Sequence, residues 1–88
     1  MSETEAHRRK RLYMRSIRRG IKEMDLILSA YADARLAGMD APTLDLYDAL
    51  LEENDHDLYQ WVTGQRPPEP RFAAMIADIR AGLAGARG

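Results

Sequence analysis

Arg18-Arg19-Gly20-Ile21-Lys22-Glu23-Met24-Asp25 decides how this chain is read. A strongly basic segment, beginning at Arg8, runs into it, and a long segment with apolar residues at helical period leaves it. Cations suit the negative end of a helix dipole and glycine suits the position just past the last turn, so one helix ends here and another begins. Arg19 and Glu23 are four residues apart, which on a helix makes them surface neighbours and predicts an exposed ion pair. Gly20 has no Cβ, so the chain can turn sharply there or another backbone can approach closely.

Working outward, the first helix is expected from about Ala6 to Ile17. Thr4 or Glu5 is its cap, and Tyr13, Met14 and Ile17 form its inner face among Arg8, Arg9, Lys10, Arg11 and Arg15. The second runs from about Ile21 to Leu36 with Met24, Ile27, Leu28, Tyr31 and Ala34 as its stripe. Glu23 falls at the edge of that stripe and Leu26 outside it. Asp40-Ala41-Pro42-Thr43 is a start signal for a third helix reaching about Glu53. Its apolar face is Leu44, Tyr47, Leu50 and Leu51, and Asp45, Asp48 and Glu52 lie opposite. Asn54-Asp55 breaks and caps. A short fourth helix then runs from about His56 to Val62, with Leu58, Trp61 and Val62 inward and Thr63-Gly64 as its stop. Gln65-Arg66-Pro67-Pro68 reads as extended, because a residue before proline is pushed out of helical space. Pro70 opens a fifth helix striped by Phe72, Ile76, Ile79 and Leu83. Nothing alternates well enough for a strand. The expected fold is all-α, a compact five-helix bundle forming a single domain over residues 1–88, with 1–5 and 84–88 flexible.

The 88 residues are enough for one small core and leave little room for a deep cleft. There is no cysteine, so neither a disulfide framework nor a thiolate metal site is available. Met1-Ser2-Glu3-Thr4-Glu5 has acids and no apolar run, so no secretory signal is expected, and no stretch is long and apolar enough to span a membrane. The net charge of -1 hides an asymmetry: residues 1–25 are net +4, residues 26–64 net -7 and residues 65–88 net +2.

Chemistry of the chain's own has little support. His7 and His56 lack ligand spacing, and the acids of the third helix lack a calcium-type loop, so no metal site is expected. Ser2, Ser16 and Ser29 have no evident base, and no catalytic residue is assigned. Asp45, Asp48, Glu52 and Glu53 read as a solvated acidic face. The rival reading is nucleic acid: Arg8-Arg9-Lys10-Arg11, Arg15, Arg18, Arg19 and Lys22 could meet phosphates, making a small basic-faced binding or antitoxin-like regulatory protein. The acidic middle argues against that, and the first helix is too narrow in its apolar face for a membrane surface.

Arg19-Gly20-x-x-Glu23 resembles the RGxxE signature of the small FAD assembly factors of succinate dehydrogenase. Other stretches match the same family in one colinear order: Arg8-Arg9-Lys10-Arg11-Leu12-Tyr13, Leu46-Tyr47-Asp48-x-Leu50-Leu51 and Asn54-Asp55-x-Asp57-Leu58-Tyr59-x-Trp61. A proline-containing connector and a last helix led by Phe72 follow. His56 departs from many bacterial members, which have proline there. The resemblance implies five helices and a non-catalytic protein that binds the flavoprotein subunit of succinate dehydrogenase, and in some bacteria that of fumarate reductase. It implies that the protein promotes covalent attachment of FAD to that subunit without holding a cofactor tightly itself. Its partner-binding residues would be Arg19, Gly20 and Glu23, with Arg18 and Asp25 beside them. Neither nucleic acid nor membrane would be a partner. Together with the lack of a signal or spanning segment, the resemblance places the protein in a bacterial cytoplasm.

Overall fold

The first, third and fourth helices each start where a short polar side chain takes up free amide groups. In the computed structural model, which describes residues 4–87 and side chains from 4 to 83, Thr4 accepts the His7 N–H at 3.1 Å and α1 runs Glu5–Ser16. Of the two expected caps, Thr4 is the one used. α2 runs Lys22–Arg35 and passes into a 3₁₀ turn, Leu36–Gly38. Asp40 caps α3 (Ala41–Leu51) through the Thr43 N–H at 3.0 Å. Asn54 caps α4 (Asp55–Val62), accepting the N–H of His56 at 2.8 Å and of Asp57 at 3.2 Å. Gly64, at φ +79°, closes α4 in a conformation other side chains rarely adopt. A 3₁₀ turn at Pro70–Phe72 leads into α5, Ala73–Arg87. The described residues contain no strand. The expected mobility of residues 1–5 and 84–88 falls largely outside the described side chains, with residues 1–3 and 88 outside altogether; Thr4 and Glu5 form the capped start of α1.

The helices form a single compact body. α1 packs on α2 and α3, α2 on α4 and α5, and α4 on α5. Its radius of gyration is 12.5 Å, against roughly 12 Å for a compact chain of this length. Leu28, Leu44, Tyr47, Leu50, Leu58 and Phe72 are fully buried at its centre. Tyr31 meets Tyr47 with ring centroids 5.7 Å apart, and Trp61 meets Phe72 at 6.0 Å. Burial pushes the Tyr47 hydroxyl up to about 12, the Ser16 hydrogen bond pulling the other way, so Tyr47 is neutral throughout the physiological range.

Two helix faces differ from the pattern. α1 was expected to bury Tyr13, Met14 and Ile17, yet Leu12 and Ser16 are its buried residues and the other three are only half-buried. Ser16 is tolerated because its hydroxyl donates to the Leu12 carbonyl at 2.8 Å and lies 2.5 Å from the Tyr47 hydroxyl. A small, satisfied side chain lets α3 come close. On α2, Ala34 is exposed and Ala32 is buried instead, because that helix is covered from more than one side.

Candidate docking face

The segment that leads from α1 to α2 is held by the far end of the α3–α4 junction. α1 ends when the Ile17 N–H bonds to the Tyr13 carbonyl at 3.2 Å, and Ile21, in extended conformation, precedes α2. Arg19 therefore sits in a loop, and its expected i,i+4 pair with Glu23 does not form. Its side chain turns inward, only 10 % exposed, and its Nε donates to Asp55 Oδ1 at 2.6 Å. Its Nη1 donates to the Leu51 carbonyl at 2.9 Å and its Nη2 to the Glu53 carbonyl at 3.0 Å. These are carbonyls of the last turn of α3 and just beyond it, where a cation is favoured and free acceptors need partners. Asp55 completes the arrangement: its Oδ2 accepts the Gly20 N–H at 2.5 Å and the Ile21 N–H at 3.2 Å. The Arg19 N–H donates to the Asp25 carboxylate in the first turn of α2.

Of the five residues expected at the site, Arg18, Gly20 and Glu23 are exposed, whereas Arg19 and Asp25 are engaged in holding the loop. Lys22 is also exposed, and Leu26, one turn further along α2, is 63 % exposed, unusual for so large an apolar side chain. A shallow groove lined by Arg11, Met14, Arg15, Arg18 and Arg19 borders the same loop. Gly20 has no positive φ, so backbone conformation does not require glycine. Space is tight there: a Cβ would lie 3.3 Å from Asp55 Oδ2, which would have to give by a few tenths of an ångström. Asp55 was read from sequence as part of the Asn54-Asp55 break and cap, and Asn54 alone does the capping. The missed signal is that Asn54 is already a sufficient cap, which leaves the next carboxylate available for something else.

The charge asymmetry resolves inside the molecule. Arg8 pairs with Asp45 at 2.6 Å, Arg15 with Asp48 at 2.6 Å and with Glu52 at 2.9 Å, and Arg11 with Asp48 at 3.1 Å. Arg9 donates to the Leu36 and Met39 carbonyls at 3.2 and 2.7 Å, closing the end of α2. On the acidic face of α3, Asp48 is part-buried under the basic helix, whereas Asp45 and Glu52 stay solvated as expected while pairing with it, and most of the cations proposed for phosphate contact are already engaged. Among the described residues no three His, Cys, Asp or Glu side chains cluster as metal ligands, and no helix is long and apolar enough to cross a membrane.

Partial burial pushes the Asp48 carboxyl up, but hydrogen bonds and charge from Arg11 and Arg15 outweigh it and hold it below the usual carboxylate range. A group depressed in the folded state lends stability that is complete above its unfolded value, near ~3.9, and is lost as pH falls through its native value. Asp48→Asn is therefore expected to lower stability near neutrality by about 1 kcal/mol and to flatten the fall of Tm below about pH 4. Thermal melts from pH 7 to pH 2.5 measure both; parallel acid limbs would contradict the assignment.

Residues 10–82 match the family model described as flavinator of succinate dehydrogenase. Relatives named succinate dehydrogenase assembly factor 2, mitochondrial, include one from Aspergillus flavus, 46 % identical over 65 residues, covering 74 % of this chain and 22 % of the relative. One from Drosophila grimshawi is 36 % identical over 74 residues, covering 82 % and 50 %. One from Schizosaccharomyces japonicus is 38 % identical over 88 residues, covering 98 % and 62 %. The chain thus spans between about a fifth and three-fifths of the length of these relatives. Their mitochondrial names overturn the expectation of a bacterial cytoplasmic location. Family model and relatives agree along nearly the whole folded body, and the chain belongs to the family of succinate dehydrogenase flavinators.

Proposed function

We propose that this protein is a non-catalytic assembly factor that docks on the flavoprotein subunit of succinate dehydrogenase and promotes covalent attachment of FAD there. The observation that carries this reading is the bare, exposed Gly20 backbone beside exposed Arg18 and Glu23, on a loop fixed from beneath by Arg19 and Asp55. FAD is the substrate of the attachment reaction and the partner holds it. A preformed loop loses little conformational freedom on docking, so more of the contact energy is expressed as affinity. Gly20 lets the partner's backbone approach, Arg18 and Glu23 supply charge-assisted hydrogen bonds, and Leu26 supplies apolar burial. The protein then favours the partner conformation in which FAD and its attachment site are aligned, to the extent that it binds that conformation better than others.

The test uses Glu23→Ala, because Glu23 is exposed and has no ion pair among the described residues, so the fold keeps its contacts. The variant is expected to bind the flavoprotein subunit about tenfold more weakly. Co-expression should leave less covalent flavin on that subunit, read as fluorescence of the denatured band, at an unchanged Tm. Full flavin attachment with full affinity would count against the docking face.

A further inference from the structure

We infer that Asp55, on α4 and outside the Arg19-Gly20-x-x-Glu23 signature, is the positioning residue of the docking loop: it sets the direction in which Gly20 and the first turn of α2 are presented. The inference rests on the docking role proposed above. An ionised carboxylate offers about four acceptor sites. Three donors reach Asp55, and all come from the loop: Arg19 Nε, the Gly20 N–H and the Ile21 N–H. None of its bonds serves its own helix, whose free amides are taken by Asn54.

The consequence for α2 is direct. Ile21 occupies the position before that helix and makes no side-chain capping bond. The side chain that would ordinarily hold the entry to a helix is therefore missing locally. Asp55 supplies a carboxylate there from 34 residues further along the chain, bonded to the Ile21 amide itself and placed where the helix dipole favours negative charge. A Cβ at Gly20 would press on the same oxygen at 3.3 Å. With both amides fixed on one oxygen, the two peptide planes on either side of Gly20 cannot rotate independently. The exposed Glu23 and Leu26 ride on the helix that starts from them. Asp55 is itself only 15 % exposed, so it acts through the loop rather than by touching the partner.

The experiment is Asp55→Asn in the full chain, read by amide hydrogen exchange and by affinity for the flavoprotein subunit. The neutral amide has one acceptor for three donors: with that oxygen held by the Arg19 guanidinium, its NH2 group faces the Gly20 and Ile21 amides, which lose their acceptor. Exchange at Gly20 and Ile21 is expected to accelerate at least about tenfold more than at Ile76 and Ile79 in α5, and affinity to fall about tenfold. Glu23→Ala provides the contrast, with affinity lost and exchange unchanged. If Asp55→Asn melts below the assay temperature, Asp25→Ala removes only the acceptor of the Arg19 N–H and should act in the same direction with smaller size. Uniform acceleration across all helices would mean that Asp55 serves the fold alone and would overturn the proposal, as would loosened Gly20 and Ile21 amides with undiminished affinity. If the unmodified chain does not bind the subunit, the docking role fails and this inference with it. If the unmodified chain binds and Asp55→Asn binds equally well, only the positioning role is lost.

Discussion

Arg19→Ala is expected to cost about 3–5 kcal/mol of stability, because it removes the counter-charge of a nearly buried carboxylate. Asp55 is 15 % exposed, Arg19 is 10 % exposed, and the same guanidinium satisfies the Leu51 and Glu53 carbonyls. The two carbonyls therefore lose their side-chain donor, and Asp55 loses its counter-charge while keeping the Gly20 and Ile21 N–H groups. In a domain of this size that corresponds to a fall in Tm of more than about 10 °C. Arg18→Ala is the control: its side chain is exposed, and an exposed change of this kind shifts stability by only about 0.5 kcal/mol. Circular dichroism melts of the two variants separate the two roles of adjacent arginines. Equal melting temperatures would show that Arg19 is not a strut. The prediction also bears on how binding data are read, since lost docking by an Arg19 variant reports a collapsed loop as much as a lost contact.

Gly20→Arg is expected to have the largest effect on docking, a loss of about a hundredfold or more, equivalent to roughly 2.7 kcal/mol. The position is exposed, and its Cβ would meet one neighbour, Asp55 Oδ2, at 3.3 Å. The rest of a long side chain has open space on the free protein and fills the volume that an approaching backbone needs. The Asp55 carboxylate must give by a few tenths of an ångström, so a stability loss of about 1 kcal/mol is expected alongside. Isothermal titration against the flavoprotein subunit, with a parallel melt, measures both. Retained affinity would mean that the partner does not use this backbone. A collapse in Tm as large as that of Arg19→Ala would mean that the glycine serves the fold first.

Local sequence carried the helices well and their mutual contacts poorly. The order of five helices follows from the caps at Thr4, Asp40 and Asn54, the stop at Gly64 and the period of the apolar residues, all of which act within a few residues. The inner face of α3, Leu44 with Tyr47, Leu50 and Leu51, was legible because it packs as a plain 3.6-residue stripe. Ser16 was not, since a hydroxyl reads as outward until Tyr47 is known to receive it. The signature showed the same limit. Its charges suggested a pair at helical spacing, but the true partner of Arg19 is 36 residues away. The opposite charges of α1 and α3 were visible as an imbalance between segments. That they pair with each other required the packing of one helix on the other.

The most direct test is a hydrogen-exchange footprint of this protein with the flavoprotein subunit of succinate dehydrogenase. Protection should concentrate on residues 18–26, covering Arg18, Gly20, Glu23 and Leu26, while the exposed side of α5 is unchanged. Protection centred on α5 or on the α4–α5 connector, with the 18–26 segment exchanging as in the free protein, would contradict the account.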